Sequence, residues 1–406
     1  MIQSKKILLG VTGGIAAYKA PLLVRELKKG GAEVRIVMTE PAKEFVTPLT
    51  LSTLSGFEVI VGTFPGQAGA TVNASTWHIH LAQWADVMVV APATANTIAK
   101  IAHGFADNAV TSLVLALRCP LIIVPAMDVE MWENPIMQAN VTTLKEMGYF
   151  VLPPEEGELA SGLVGPGRLP EIETIVKFVS EVLSKTHRDV TGKRILVTAG
   201  PTYEPLDPIR FLGNRSSGKM GFAVANAAAL RGADVTLVSG PSHLLTPRNV
   251  RRFDVETAAE MYQAVVHHAK SVDAVVMAAA VADYTPSKVA PQKIEKEGES
   301  ELMIKLSATK DILEELGKQK NGKILVGFAL ETNNEMEHAK GKLKRKNLDL
   351  IAVNNPTREG AGFGSDTNIV TLVTKKGEAE QFPRMSKFDV ANKILDQIAK
   401  LLGSEA

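Results

Sequence analysis

The chain has 406 residues, 45% hydrophobic and 22% charged, with 45 lysines and arginines against 44 aspartates and glutamates. That length predicts two or three domains with ample core, and a net charge of +1 gives no reason to expect nucleic acid or a membrane surface as partner. The single cysteine, Cys119, excludes an intrachain disulfide and points to a reducing, cytoplasmic setting, and no apolar run approaches the ~18 residues of a spanning helix.

In chain order, residues 6–11 (KILLGV) read as a buried strand. A basic start, a short apolar run and a Gly pair suit a first strand better than a signal peptide. Thr12-Gly-Gly14 is a tight turn, residues 15–29 have helical spacing, and residues 33–38 form the next strand. Later strands are expected at 86–91, 121–125 and 149–152, with helices from about Asp107 and over 171–184. The polar stretch 185–189 breaks the pattern and predicts a linker, dividing the chain into domains 1–189 and 190–406.

The second domain opens with a strand at 195–199. A polar loop follows, ending in Asn214-Arg-Ser-Ser-Gly-Lys219, then an Ala-rich helix and a strand at 235–239. Such loops usually take 2–6 residues; this one takes roughly three times that, which predicts a functional loop. Further strands are expected at 250–255, 273–279, 323–328 and 348–353, and helices at 258–270, 309–320 and 334–345. A Gly-rich loop (360–365), a hairpin over 368–382 and a closing helix from Ser386 complete the chain. The helix–Gly–strand half-motif occurs twice, as LKKGGAEVRIVMTEP and ALRGADVTLVSGP. The fold class is therefore α/β, with two doubly wound, mostly parallel, Rossmann-like sheets. Ligands belong at the carboxyl ends of the strands.

At the first domain's strand ends, Thr12-Gly-Gly14 opens a helix N-terminus, Thr39 sits at a strand tip, and 91–96 and 125–132 offer hydroxyl, amide and carboxyl groups. A phosphate-bearing ligand fits; taken singly, these are also ordinary α/β turns. The G-x-G-x-x-G fingerprint is absent, against a standard NAD site and a nicotinamide dehydrogenase. Ser217-Gly218-Lys219 lacks the full Walker pattern.

Taken together, GVTGGIAAYK (10–19), WHIHLAQWAD (77–86), APATANTIAK (91–100) and PAMDVEMW (125–132) resemble the flavin-containing cysteine decarboxylases. NRSSGKMG (214–221), AAAVADY (278–284), APQKIEK (290–296), GFALET (327–332) and KRKNLDLI (344–351) resemble phosphopantothenate–cysteine ligase. The whole chain thus resembles the bifunctional coenzyme A biosynthesis family, a flavodoxin-like flavin domain followed by a ligase domain.

For the first half the resemblance implies FMN held by Gly13, Gly14, Ile15, Ala16, Thr39, Thr94 and Asn96, with His78 as active-site histidine. The family chemistry oxidises a cysteine-derived thiol to a thioaldehyde, whose carboxylate leaves easily, and then returns the electrons. For the second half it implies CTP-dependent activation of 4′-phosphopantothenate as an acyl-cytidylate, which the amine of cysteine attacks, with Mg²⁺ on the triphosphate. Asn214 matches the amidation residue and Lys293 the residue forming the cytidylate. Met277, Ala278, Ala279, Asp283, Lys293, Thr309, Lys310, Asp311, Ile312, Phe328, Lys342 and Lys346 match CTP contacts. Lys342 and Lys346 are four apart on a helix and share a face suited to phosphates; a solvated basic face is the plainer reading. Trp77, Trp84 and Trp132 are expected in core or interface rather than on flavin. The family also implies trimeric flavin domains and dimeric ligase domains, hence a dodecamer.

Two positions depart from the family pattern. Asp128 stands where Pro-x-Met-Asn-x-x-Met-Trp has Asn, and Ser161 stands where a proton-donating cysteine is usual. An ionised Asp128 would repel a substrate carboxylate by ~4 kcal/mol at ~4 Å and an effective dielectric of ~20. Asp128 is therefore expected to be protonated, paired with a cation such as Arg168, or used differently. A hydroxyl is a far weaker acid than a thiol, so Ser161 relays a proton or another acid substitutes. An active decarboxylase is expected, the alternative being a flavin domain that binds FMN without decarboxylating.

Overall fold

The structure, a computed structural model, describes residues 2–62, 76–295, 302–330, 335–354 and 364–403. It divides into two compact units, Met1–His187 and Arg188–Ala406.

The first unit runs β1 (Lys6–Val11), α1 (Ala20–Lys29), β2 (Glu33–Met38), α2 (Pro48–Ser55), α3 (Trp77–Trp84), β3 (Val87–Ala93), α4 (Ala95–Ala102), α5 (Ala109–Ala116) and β4 (Leu121–Pro125). It continues through α6 (Val129–Glu133), α7 (Pro135–Glu146), β5 (Phe150–Val151), β6 (Glu155–Glu158), β7 (Val164–Arg168) and α8 (Ile172–Lys185). The strands form one parallel sheet in the order β2-β1-β3-β4-β5. Side chains alternate across it: Ile7, Leu9 and Val11 pack with α1 and α8, whereas Leu8, Met88 and Val90 pack with α4 and α5. Burial on both faces explains why these strands read as unbroken apolar runs. Helices α4 and α5 replace the one helix expected from Asp107. Thr94 and Asn108 cap them, and Asn108 completes a capping box with Thr111.

The second unit runs β8 (Arg194–Ala199), β9 (Tyr203–Pro205), β10 (Phe211–Gly213), α9 (Lys219–Leu230), β11 (Asp234–Ser239), β12 (Val250–Asp254), α10 (Ala258–His268) and β13 (Ala274–Met277). It continues through β14 (Tyr284–Pro286), β15 (Leu306–Ala308), α11 (Ile312–Lys318), β16 (Ile324–Leu330), α12 (Glu335–Arg345) and β17 (Leu350–Asn354). Last come β18 (Thr367–Asn368), β19 (Val370–Thr374), β20 (Ala379–Gln381), β21 (Met385–Ser386) and α13 (Lys387–Gly403). The main sheet has the order β12-β11-β8-β13-β16-β17-β19-β20, parallel up to β17 and closed by the antiparallel hairpin β19–β20. The long polar loop after β8 contains the antiparallel ribbon β9–β10. Residues expected to begin a helix at 309 instead follow strand β15, and Asp311 starts α11 by accepting from Glu314 N. Arg231, fully buried at the end of α9, pairs with Asp189 and with Asp396 of α13.

Candidate active sites

In the first unit the chain leaves β1 for β2 on one side and returns to β3 on the other, so a crevice opens between the tips of β1 and β3. A cleft of about 960 Å³ lies there. Thr12 joins the two tips: its Oγ1 donates to the Pro92 carbonyl at 2.7 Å and accepts from Thr94 N at 3.0 Å. Gly13 is required because a Cβ there would lie 2.5 Å from the Pro41 Cβ. Gly13, Gly14, Ile15, Ala16, Thr39, Thr94 and Asn96 all line the cleft. Its size and its glycine turn flanked by hydroxyl and amide groups fit a flat, phosphate-bearing cofactor such as FMN.

The facing wall is the hairpin β6–β7, with Ser161 in its turn. The turn closes through Leu159 N to the Leu163 carbonyl at 2.8 Å. Two glycines seat the hairpin against residues 127–129. A Cβ on Gly165 would meet Val129 Cγ2 at 2.8 Å, and one on Gly167 would meet the Met127 carbonyl oxygen at 2.2 Å. Met127 N donates to the Gly167 carbonyl at 3.0 Å. Asp128 occupies the N-cap of α6 yet makes no capping bond. Instead Ser161 Oγ donates to Asp128 Oδ2 at 2.5 Å, while Asp128 Oδ1 is buried without a hydrogen-bond partner. Arg168 pairs with Glu171, three residues on, and not with Asp128, which corrects the pairing entertained from the sequence. Local reach decides this, since the i+3 carboxylate is next to the guanidinium.

His78 stands apart. It lies on α3, edge-on to Trp77 with ring centroids 5.6 Å apart, and does not line the cleft. Trp77, Trp84 and Trp132 pack against the Leu8–Met88 core face, as expected of core residues.

In the second unit the equivalent crevice lies between β8 and β13. Asn214 reaches it from the loop after β10, its Nδ2 donating to the carbonyls of Ala280 and Val281, both at 3.1 Å. Met277 is buried at the tip of β13. The following turn is held by Ala279 N to Thr198 Oγ1 at 3.1 Å and Ala282 N to Thr202 Oγ1 at 2.9 Å. Thr309 ties this turn to β15, donating from Oγ1 to the Ala282 carbonyl at 2.6 Å and from N to the Asp283 carbonyl at 2.9 Å. Ile312 is buried behind it, and Phe328 is half-buried on the neighbouring β16. Lys346, just past the end of α12 and four residues after Lys342, pairs with Asp311 at 2.6 Å. Burial opposes ionisation of Asp311, but the bonds from Lys346 and Glu314 N outweigh it and hold the carboxyl below its ordinary value. Lys310 lies over the Tyr262 ring at 4.7 Å.

Lys293 is exposed and 3.6 Å from Glu295. Its placement rests on residues that sequence reasoning missed. Asp207 is buried and accepts from Arg210 Nε at 2.9 Å, Arg210 Nη2 at 2.6 Å and Ile294 N at 3.1 Å, while Arg210 Nη2 also donates to the Ile294 carbonyl at 2.7 Å. The segment carrying Lys293 is thereby tied to the turn between β9 and β10, part of the same long loop after β8 that carries Asn214 just beyond β10. An oppositely charged pair spaced i, i+3 around Asp207-Pro208 was the available signal. Most of the Gly-rich stretch 360–365 lies outside the described residues; at its described end Lys219 donates to the Gly364 carbonyl at 3.1 Å, and it pairs with Asp366 at 2.7 Å.

Comparison with known proteins matches residues 1–184 to the flavoprotein family and 190–402 to the C-terminal domain of DNA/pantothenate metabolism flavoproteins. The coenzyme A biosynthesis bifunctional protein of Bacillus subtilis is 46% identical over 99% of this chain and 98% of its own length. The chain belongs to the coenzyme A biosynthesis bifunctional protein family. Its Escherichia coli member is 44% identical over 98% of this chain and 97% of its own. Among solved structures, the C-terminal domain of a family member is 43% identical, with a TM-score of 0.47, and spans 53% of this chain and 99% of its own. The chain is accordingly a bifunctional enzyme of coenzyme A biosynthesis, a flavoprotein decarboxylase domain followed by a ligase domain. A cysteine/cysteine sulfinic acid decarboxylase is also 46% identical, over 88% of this chain.

Proposed function

We propose that the enzyme first joins 4′-phosphopantothenate to cysteine with CTP and Mg²⁺, through an acyl-cytidylate, and then decarboxylates phosphopantothenoylcysteine to 4′-phosphopantetheine with FMN. The observation that carries the second step is the single cleft in which all seven FMN candidates meet Asp128 and Ser161. FMN, when bound, would supply the two-electron chemistry that makes the thioaldehyde and later reverses it. The glycine turn and Thr39, Thr94 and Asn96 orient the cofactor, and the β6–β7 hairpin covers the reacting end. Ser161 and Asp128 then hold a hydrogen-bonded proton there. Nothing in this cleft favours a flavin domain that binds without decarboxylating.

For the ligase, Asn214 is fixed at the switch point beside residues 277–283, where the activated acyl group would lie, and Lys293 is carried by the segment docked on the same loop. Lys342 and Lys346 face the triphosphate, Lys346 exchanging Asp311 for phosphate oxygens. Domain association follows the family: trimeric flavin domains and dimeric ligase domains in a dodecamer. The position of His78 outside its own cleft supports this, since a histidine-assisted step then needs a neighbouring protomer. The enzyme acts in the cytoplasm; among the described residues no helix is long and apolar enough to cross a membrane.

The test is one incubation of purified protein with 4′-phosphopantothenate, cysteine, CTP and Mg²⁺, following pyrophosphate and CO₂. Both are expected in equal amounts. Pyrophosphate without CO₂ from flavin-loaded protein would overturn the decarboxylase reading, and equal rates with ATP would overturn the preference for CTP.

A further inference from the structure

We propose that the second unit binds inorganic phosphate at the amino ends of β8, β11 and β12, the opposite ends of the sheet from the ligase residues. The site takes hydrogen phosphate and discriminates against sulfate.

A recess of about 110 Å³ lies there, and strand register builds its floor. Asp234 lies beside Arg194, and Thr236 beside Arg251. Side chains two apart on a strand share a face; Val238, on the same face, shares a core with Met261 and Val265 of α10. Asp234 and Thr236 therefore look toward α10. Its last residue, His268, closes the recess with Phe253, their ring centroids 4.4 Å apart.

Thr236 is the residue that points to a ligand. It is only 6% exposed and lines the recess, and its hydroxyl makes no hydrogen bond among the described residues. A buried hydroxyl without a partner destabilises a fold. One that opens into a polar recess can be satisfied by what binds there.

The other donors converge on the same place. Arg251 spends one nitrogen, Nη2, on both oxygens of Asp234 at 3.0 Å, which leaves Nε and Nη1 to give. The Arg194 guanidinium lies 3.8 Å from Asp273 Oδ1, beyond hydrogen-bond reach, and Asp273 does not line the recess. Two arginines against one aspartate give the lining a net positive charge. Burial, followed by the charges of His267 and Arg251, holds the His268 imidazole below its ordinary value, so the charges acting on that ring are positive too.

Shape and protonation select the ligand. Arg194, Thr236, Arg251 and His268 come from four different elements. A planar carboxylate serves donors in one plane, whereas a tetrahedral oxyanion presents an oxygen in each direction. Asp234 then sorts the tetrahedral ions. Its oxygens can accept beyond the bonds from Arg251. Sulfate offers only acceptors and is repelled by the carboxylate. A phosphate monoester loses its last proton at about pH 6 and is repelled likewise. Hydrogen phosphate keeps one P–O–H after its second ionisation and donates it to Asp234.

The experiment is equilibrium dialysis of the full-length, flavin-loaded protein against radiolabelled inorganic phosphate. It is run at about pH 8, where a monoester is fully ionised, with Mg²⁺ and CTP present to fill the ligase's triphosphate subsite. The parent is expected to hold about one phosphate per chain that CTP does not displace. Thr236→Val and Arg251→Gln should each weaken it ~10-fold or more, the loss expected of a hydrogen bond to a charged group. At equal ionic strength, sulfate, glycerol phosphate and acetate should compete at least ~10-fold less well than phosphate, and Asp234→Asn should erase the discrimination against sulfate. Pyrophosphate release at the parent's rate shows that the variants are folded. No CTP-resistant binding by the parent, or unchanged binding in both Thr236→Val and Arg251→Gln, overturns the proposal. Sulfate, glycerol phosphate or acetate competing as well as phosphate overturns the assignment to hydrogen phosphate. If Thr236→Val does not fold, Arg251→Gln at its exposed side chain and the competition on the parent decide the matter.

Discussion

Gly167→Ala tests whether the β6–β7 hairpin builds the decarboxylation site. The added Cβ would sit 2.2 Å from the Met127 carbonyl oxygen, and ordinary contact begins at about 3.4 Å. The base of the hairpin must therefore retreat by roughly 1.2 Å. Retreat stretches the 3.0 Å bond from Met127 N to the Gly167 carbonyl, worth about 1 kcal/mol, and draws Ser161 away from Asp128. A displacement of about 1 Å at a reacting centre costs on the order of 10²-fold. The overpacking itself costs ~1–3 kcal/mol, or roughly 2–4 °C of melting temperature per kcal/mol for a unit of this size. The assay is CO₂ release from phosphopantothenoylcysteine, with pyrophosphate release on the same preparation as the control for folding. Decarboxylation should fall about 10²-fold while ligation stays within about two-fold of the parent, the equivalent of the roughly 0.5 kcal/mol left by a substitution that touches no special feature. Decarboxylation at the parent's rate would refute the reasoning, because the hairpin could then move without disturbing the site.

Gly13→Ala places a Cβ 2.5 Å from Pro41 Cβ at the floor of the same cleft; purified protein should carry less flavin, read from its visible absorbance, with ligation intact. Asp207→Ala should slow pyrophosphate release by freeing the segment that carries Lys293, and an unchanged rate would show that this docking is irrelevant to ligation. The Arg210 guanidinium, opposed by burial and assisted by the N–H groups of Ile209, Ile294 and Arg210, holds the Asp207 carboxyl well below the usual carboxylate range. Because the folded value is the lower one, its stabilisation is complete above the unfolded value of 3.8 and is lost as the pH falls beneath it. Acid unfolding of Asp207→Asn should therefore be less steep below pH 3.8 than that of the parent. Arg231→Met leaves the carboxylates of Asp189 and Asp396 without their buried partner; a loss of ~3 kcal/mol in denaturant unfolding of the second unit is expected, and an unshifted midpoint would show the pair to be neutral.

Sequence alone determined the α/β class, the restart of the fold near residue 190 and the order of the main strands. Apolar runs such as 6–11 and 195–199 specify strands buried on both faces whatever lies around them. It also placed glycine and hydroxyl residues at strand tips, where a doubly wound sheet opens its crevice. The short ribbons β9–β10 and β14–β15 were not legible, because three-residue strands carry too little periodicity and depend on partners elsewhere in the chain. Tertiary structure alone decided the partners of the polar groups. Arg168 took Glu171 three residues away, whereas Asp128 took Ser161 across 33 positions, and Asp207 and Arg210 gripped Ile294 across more than 80. Such bonds depend on how closely two segments approach, and Gly165 and Gly167 set that approach for the hairpin. Reading the sequence identifies the chemistry available; which carboxylate meets which donor is fixed by packing.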